Sequence, residues 1–236
     1  MKKYLIKNYP KTYKIYLKIR FYTRAFYRSE NFYHVLWNIF RGDSFLSYNY
    51  KLNSNSIFVD VGGYEGEFSQ RILEKFNCKI IIFEPLEDLY LKLKDRFSLH
   101  NNVIVENYAI SDFNGSENII LSDESSSFYI DEPKNSNSKI IKKNVKVLSI
   151  SSIFEKFNIE KIDYLKLNVE GAEYKILNEL IKSKNINKVK NLQIQFHKIS
   201  DNSINERKII RSKLKKTHRN IFSFPFVWEK WSLRNI

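Results

Sequence analysis

Residues 57–68 read IFVDVGGYEGEF, an apolar run that stops at Asp60 and breaks into Gly62, Gly63 and Gly66 around one bulky side chain, Tyr64. A short apolar run closed by a glycine turn is the pattern of a buried strand entering a loop. A dinucleotide turn needs Gly-x-Gly-x-x-Gly, so that backbone can approach a pyrophosphate, and an acid about 20 residues further on for a ribose. Here Gly62 and Gly63 are adjacent, and Tyr64 occupies the place of the second glycine. The pattern is instead Asp-x-Gly-x-x-x-Gly, with an acid closing the strand and a loop that carries no phosphate. Glu84 stands 24 residues after Asp60, at the tip of the next apolar run, where a carboxylate can accept bonds from both ribose hydroxyls. A ligand with an amino group near the strand end and a ribose nearby suits this arrangement. Tyr64 would line that ligand or pack beside it.

Outward from this stretch the chain alternates. Strands are expected at Ile57–Asp60, Lys79–Glu84, Asn102–Ile110, Glu117–Leu121, Lys142–Leu148, Ile162–Asn168 and Asn191–His197. Helices are expected at Glu65–Phe76, Leu86–Phe97, Ala172–Lys182 and Ile204–Thr217, where apolar residues recur at helical spacing. Ser152 and Glu155 form a capping-box pattern that opens a short helix. Ser122–Ser138 is a long Ser/Asn/Asp-rich loop, and IFSFPFVWEKWSLRN (residues 221–235) reads as a closing antiparallel hairpin. Such alternation predicts an α/β fold, a mostly parallel sheet with helices on both faces. In such a sheet ligands bind beyond the carboxyl ends of the strands. Five of those ends are polar or glycine-rich: DVGGYEG, FEP, ENYAISD, NVEGAE and QFH.

The chain has 236 residues, 43% of them apolar, enough for one sizeable core with an extension. We divide it into residues 1–50, a basic amphipathic helical extension, and residues 51–236, the α/β domain. The formal charge of +14 is local: residues 1–29 carry nine Lys/Arg and no acid, leaving 31 basic against 26 acidic residues elsewhere. Ile15, Ile19, Tyr22 and Phe26 recur at helical spacing between basic flanks. The helix either packs with a solvated basic face or lies on an anionic membrane surface, with RNA contact a third use. Charges interrupt every apolar stretch before the roughly 18 residues that a spanning helix needs, and no signal-peptide pattern is present. Cys78 is the only cysteine, so no internal disulfide forms, which suits a reduced compartment. The expected location is the cytoplasm, with peripheral contact on the cytoplasmic face of the membrane.

The motifs FVDVGGYEGEFS, IIIFEP, NYAISDFNGS, VKVLSISSIF and, above all, DYLKLNVEGAEYKIL followed by LQIQFH resemble the FkbM-type S-adenosylmethionine-dependent methyltransferases over about residues 56–200. The resemblance implies a class I, Rossmann-like methyltransferase sheet of seven strands with the last antiparallel. It implies S-adenosylmethionine as cofactor, with Asp60, Gly62, Gly63 and Gly66 in the first cofactor motif. Glu84 would be the ribose acid and Asn107 would lie near the adenine edge. The chain departs from the family at two places: Asn168 stands where an Asp is usual before Val-Glu-Gly, and Gln195 where a Glu is usual two residues before His197. Both changes remove a carboxylate, so no metal is expected, because a divalent cation wants charged oxygen ligands.

Methyl transfer from a sulfonium is an in-line displacement governed by positioning, and a base near the acceptor hydroxyl adds roughly 10²–10⁴-fold. His197 is the candidate base, as a neutral imidazole near pH 7, and its other reading is a histidine bonded to a neighbouring loop. Glu170 is a second candidate base or an acceptor-orienting group, Glu173 a capping or pairing acid, and Asn168 a positioning amide. No Asn/Asp-Pro-Pro-aromatic stretch follows the fourth sheet strand, and Cys78 lies away from the strand ends, which argues against nucleic-acid methylation. The expected function is O-methylation of a sugar hydroxyl in a surface glycan or its precursor. A non-catalytic module of the same fold in a membrane-associated glycan-assembly complex is the alternative, and RNA methylation is a weaker third.

Overall fold

The computed structural model describes residues 30–44, 46–122, 125–127 and 141–234. The expected helix within residues 1–29 lies outside these, as does most of the Ser122–Ser138 loop. The chain divides into two compact units, residues 1–47 and 48–236. In the first, α1 (Glu30–Ile39) buries Trp37, whose indole N–H donates to Asp43 Oδ1 at 2.9 Å. Tyr48 and Tyr50, which the sequence places in the extension, pack in a core cluster of the second unit.

The second unit is built on β1 (Ile57–Val61), β2 (Lys79–Phe83), β3 (Val103–Glu106), β8 (Tyr164–Leu167), β9 (Asn191–Ile194), β10 (His218–Phe224) and β11 (Trp228–Leu233). Their order across the sheet is β10-β11-β9-β8-β1-β2-β3. Strands β3, β2, β1, β8 and β9 are mutually parallel, whereas β11 is antiparallel to both β9 and β10. Counted along the chain, these seven strands lie in the order 3-2-1-4-5-7-6.

Helices cover both faces. Strands β1 and β2 are buried at every residue but their first, as strands of a sheet covered on two sides must be. Alternation along β1 sends Phe58 to one core with Ile72, Leu73, Leu93 and Phe97, from α2 (Glu67–Phe76) and the α3 helix (Glu87–Arg96) with its C-cap. Val59 and Val61 face the other core, with α5 (Glu173–Lys182) contributing Tyr174, Ile176, Leu177 and Leu180, and α6 (Ser203–Leu214) contributing Ile210 and Leu214. Helix α2 starts at Gly66 (φ +83°) and stops at Asn77 (φ +47°), two residues that tolerate the left-handed conformation.

A second sheet corrects the expectation of a single one. The expected strand Asn102–Ile110 is broken at Asn107–Tyr108: β3 ends at Glu106 in the main sheet, and β4 (Ala109–Ser111) enters another. There β4 pairs in parallel with β7 (Ile141–Ser149), β7 in antiparallel with β5 (Gly115–Ser122), and β5 with β6 (Ser125–Ser127). Strand β6 falls inside the segment expected to be loop. The capping box is also absent: in α4 (Ser152–Lys156) the Ser152 hydroxyl bonds Asn114, and Ser151, the residue before the helix, bonds Glu179.

Candidate active site

A cavity of about 320 Å³ opens at the carboxyl ends of β1, β2 and β8. Its wall takes Val61, Gly62 and Tyr64 from the first strand end, Phe83, Glu84 and Pro85 from the second, and Asn168, Val169 and Glu170 from β8. The break between β3 and β4 places Tyr108, Ala109 and Ile110 on the wall, and β5 adds Ile119. The second sheet is therefore part of the site.

The first strand end is held from below. Asp60 is fully buried, with Oδ1 2.7 Å from Lys166 Nζ and Oδ2 accepting the Ser69 hydroxyl at 2.6 Å. Lys166 also donates to the Gly62 carbonyl at 2.9 Å. Asp60 thus spends its carboxylate on tying β1 to β8 and α2, and it does not reach the cavity wall. Gly62, at φ +87°, passes so close to β8 that a Cβ there would lie 2.0 Å from the Asn168 carbonyl oxygen. Gly63 and Gly66 serve packing in the same way, facing Ile82 and Leu93. Tyr64 stands in the left-handed region at φ +50°, is 64% exposed, and points its N–H at Glu84 Oε2, 2.9 Å away.

Glu84 is the buried acid of the wall. Its other oxygen accepts the Leu86 N–H at 3.1 Å, so each oxygen keeps a lone pair for a further donor. Burial pushes its pKa up to about 7, against the pull of the two N–H bonds and of Lys166. Asn107 stands beside the wall rather than on it. Its amide donates to the carbonyls of Glu84 and Pro85 at 3.0 and 3.1 Å, bracing the strand end, and the residue on the wall is Tyr108.

At the β8 end Asn168 lines the cavity, and its Oδ1 is a buried acceptor with no hydrogen-bond donor among the described residues. Such orphaned atoms are rare and call for a partner. Glu170 follows at φ +50°, with its Oε1 3.2 Å from His197 Nε2. On the opposite side of the ring His197 Nδ1 is 2.8 Å from Glu173 Oε1. Burial of the ring opposes its charge, but the hydrogen bonds to Glu170 and Glu173 outweigh it and push the pKa up to about 10. The two flanking carboxylates favour a charged ring over the neutral base expected from the sequence. A sequence reading missed Tyr108, Leu89, Ile119 and the Lys166 brace; only Lys166 left a trace, as a lone cation inside the apolar run YLKL.

The strand order 3-2-1-4-5-7-6, with the polar strand ends around one cavity, defines a class I methyltransferase fold. The family model described as the Methyltransferase FkbM domain matches residues 60–225, and the chain belongs to that family. No curated protein sequence matches the chain. Among solved structures it is similar to an rRNA methylase from Streptococcus thermophilus (12% identity, TM-score 0.45, covering 77% of this chain and 89% of that one). It is similar as well to a putative methyltransferase from Streptococcus mutans in complex with SAH (12%, 0.45, 78% and 91%). A third likeness is to the Methanococcus jannaschii fibrillarin pre-rRNA processing protein (13%, 0.46, 77% and 67%).

Proposed function

We propose that the protein is an O-methyltransferase that binds S-adenosylmethionine in the cavity of about 320 Å³ and methylates a sugar hydroxyl of a surface glycan or its precursor. The residues present fit the cofactor. Glu84 offers spare acceptor capacity to a ribose diol, the orphaned Asn168 Oδ1 suits a donor such as an ammonium, and Leu89, Tyr108, Ile110 and Ile119 give the apolar surface that an adenine ring needs. When bound, S-adenosylmethionine would supply an electrophilic methyl group, its sulfur keeping the electron pair of the C–S bond. The chain's own share is to orient the two partners in line and keep water from the gap.

One observation carries the reading: a single cavity has a ribose-type acid, Glu84, on one wall and a second carboxylate, Glu170, on another. The glycan acceptor rests on the family resemblance and on the missing nucleic-acid motifs. Calorimetry with S-adenosylmethionine tests the cofactor. Binding that weakens at least tenfold in Glu84→Ala is expected, and absent or undiminished binding would remove the assignment. Mass spectrometry of surface glycans with and without the gene tests the acceptor, through loss of one CH₂ per site.

A peripheral membrane contact belongs to the same proposal. No helix among the described residues is long and apolar enough to cross a membrane. On α1, however, Val35 and Ile39 lie one turn apart and are 47% and 66% exposed, directly after the basic residues 1–29. Exposed apolar side chains beside a basic segment suit an anionic lipid surface. Deletion of residues 1–40 should abolish sedimentation with phosphatidylserine vesicles; unchanged sedimentation refutes the contact.

A further inference from the structure

Glu173, His197 and Glu170 form a row from the core to the cavity wall. Glu173 is fully buried and accepts the backbone N–H groups of Val169 at 2.9 Å and Gly171 at 3.0 Å. The His197 ring comes next, 17% exposed, between Glu173 and Glu170. Of the three side chains only Glu170, 36% exposed, lines the cavity.

Counting hydrogens decides the state of the ring. A neutral imidazole has one N–H and can donate once, and an ionised carboxylate has no hydrogen to give. Both ring nitrogens of His197 face carboxylate oxygens, at 2.8 and 3.2 Å, and with both carboxylates ionised both nitrogens donate. Glu173 already accepts two backbone N–H groups, and the ring is the third group directed at its oxygens. Glu170 meanwhile sits in the left-handed region between Val169 and Gly171, a conformation that a free loop would leave. The ring, anchored on Glu173, holds its carboxylate at 3.2 Å.

We propose that Glu170 is the catalytic carboxylate that accepts the acceptor hydroxyl's proton, and that His197, held as an imidazolium between Glu170 and the buried anchor Glu173, is a positioning residue. The proposal rests on the methyltransferase reading. As the acceptor oxygen bonds the methyl carbon, its O–H bond breaks and the proton passes to Glu170, which returns it to solvent. The two ring protons of His197 stay where they are.

The test is ¹⁵N NMR of the ring nitrogens in the full chain, which holds four histidines. The His197 signal is identified by its loss in His197→Gln or, should that variant not fold, by eliminating His34, His100 and His218 through their own substitutions. Both nitrogens should stay protonated up to pH 9, and Glu173→Gln should lower the midpoint by at least two pH units. A ring that titrates near pH 6.5 overturns the proposal. With S-adenosylmethionine and a crude glycan pool, release of S-adenosylhomocysteine should fall at least 100-fold in Glu170→Gln and about tenfold in His197→Gln, with cofactor affinity within twofold of the parent. Undiminished turnover in Glu170→Gln also overturns it. In His197→Ala, added imidazole should restore turnover increasingly below pH 7, where imidazolium dominates. Rescue that grows above pH 7 would make His197 the base instead. Absent cofactor binding would remove the methyltransferase reading and leave the NMR result standing, so the two failures are distinguishable.

Discussion

Two acid–cation clusters sit at neighbouring strand ends, and they are built to opposite ends. Around Asp60 every bond turns inward: Lys166 and Ser69 take both oxygens, Lys166 also holds Gly62, and Asp60 and Lys166 are 0% and 4% exposed. Around His197 the row begins equally buried at Glu173 but ends in Glu170 on the cavity wall. An acid at the end of a strand is thus no sign of a ligand by itself. What separates a brace from a reacting group is whether its hydrogen-bonding capacity is used up inside the protein.

The contrast breaks most sharply at Lys166. Lys166→Met should leave Asp60 as an uncompensated buried charge and cost about 3–5 kcal/mol in urea denaturation. Glu170→Gln, at the open cluster, should change stability by less than about 1 kcal/mol, as substitutions at partly exposed sites do, while losing turnover. Equal stability losses would erase the distinction. Gly62→Ala comes next, at roughly 2–3 kcal/mol, because its Cβ would meet the Asn168 carbonyl at φ +87°. A small shift in the melting temperature would show that the two strand ends are not locked together.

The smallest effect sharpens the comparison through pH. Glu84 has a folded pKa of about 7 against an ordinary 4.5, so its proton contributes stability that is fully present below 4.5 and is lost as pH rises through 7. A ribose diol donates to the ionised form, so cofactor binding runs the other way. Affinity should be about tenfold weaker at pH 6 than at pH 8 if this carboxylate alone governs it. A flat profile in calorimetry would show that Glu84 is not the ribose contact.

The parallel core, the helices on both its faces and the strand ends that gather at the cavity were legible in sequence because their signals are local. Apolar runs, glycine turns and helical spacing each span under a dozen residues. What escaped depends on partners far along the chain. The second sheet exists because β4 finds β7, some 40 residues away, and the break that frees it turns on two residues, Asn107 and Tyr108. Their roles exchanged for the same reason: a bend of one residue sends the amide to the strand end and the ring to the cavity. His197 stands out in the sequence as a candidate base, but its partner Glu173 lies 24 residues earlier, and no local pattern announces that bond. The Ser152 capping box was a true motif that lost to Asn114, whose side chain takes the hydroxyl.

The position of β11 bears on how this protein is made. Strand β11 lies between β9 and β10, with Trp231 fully buried and Glu229 paired to Arg207 and Arg211 of α6. During synthesis β10 therefore emerges before the strand that joins it to the sheet, and β9 keeps a bare hydrogen-bonding edge until residues 228–233 have left the ribosome. An uncovered, flat, apolar edge is a template for pairing with other chains. A nascent chain stalled at residue 226 would be expected to sediment with aggregates or with bound chaperone. Supplying residues 227–234 should convert it to a protease-resistant form, which places the aggregation hazard of this fold at the step that seats β11.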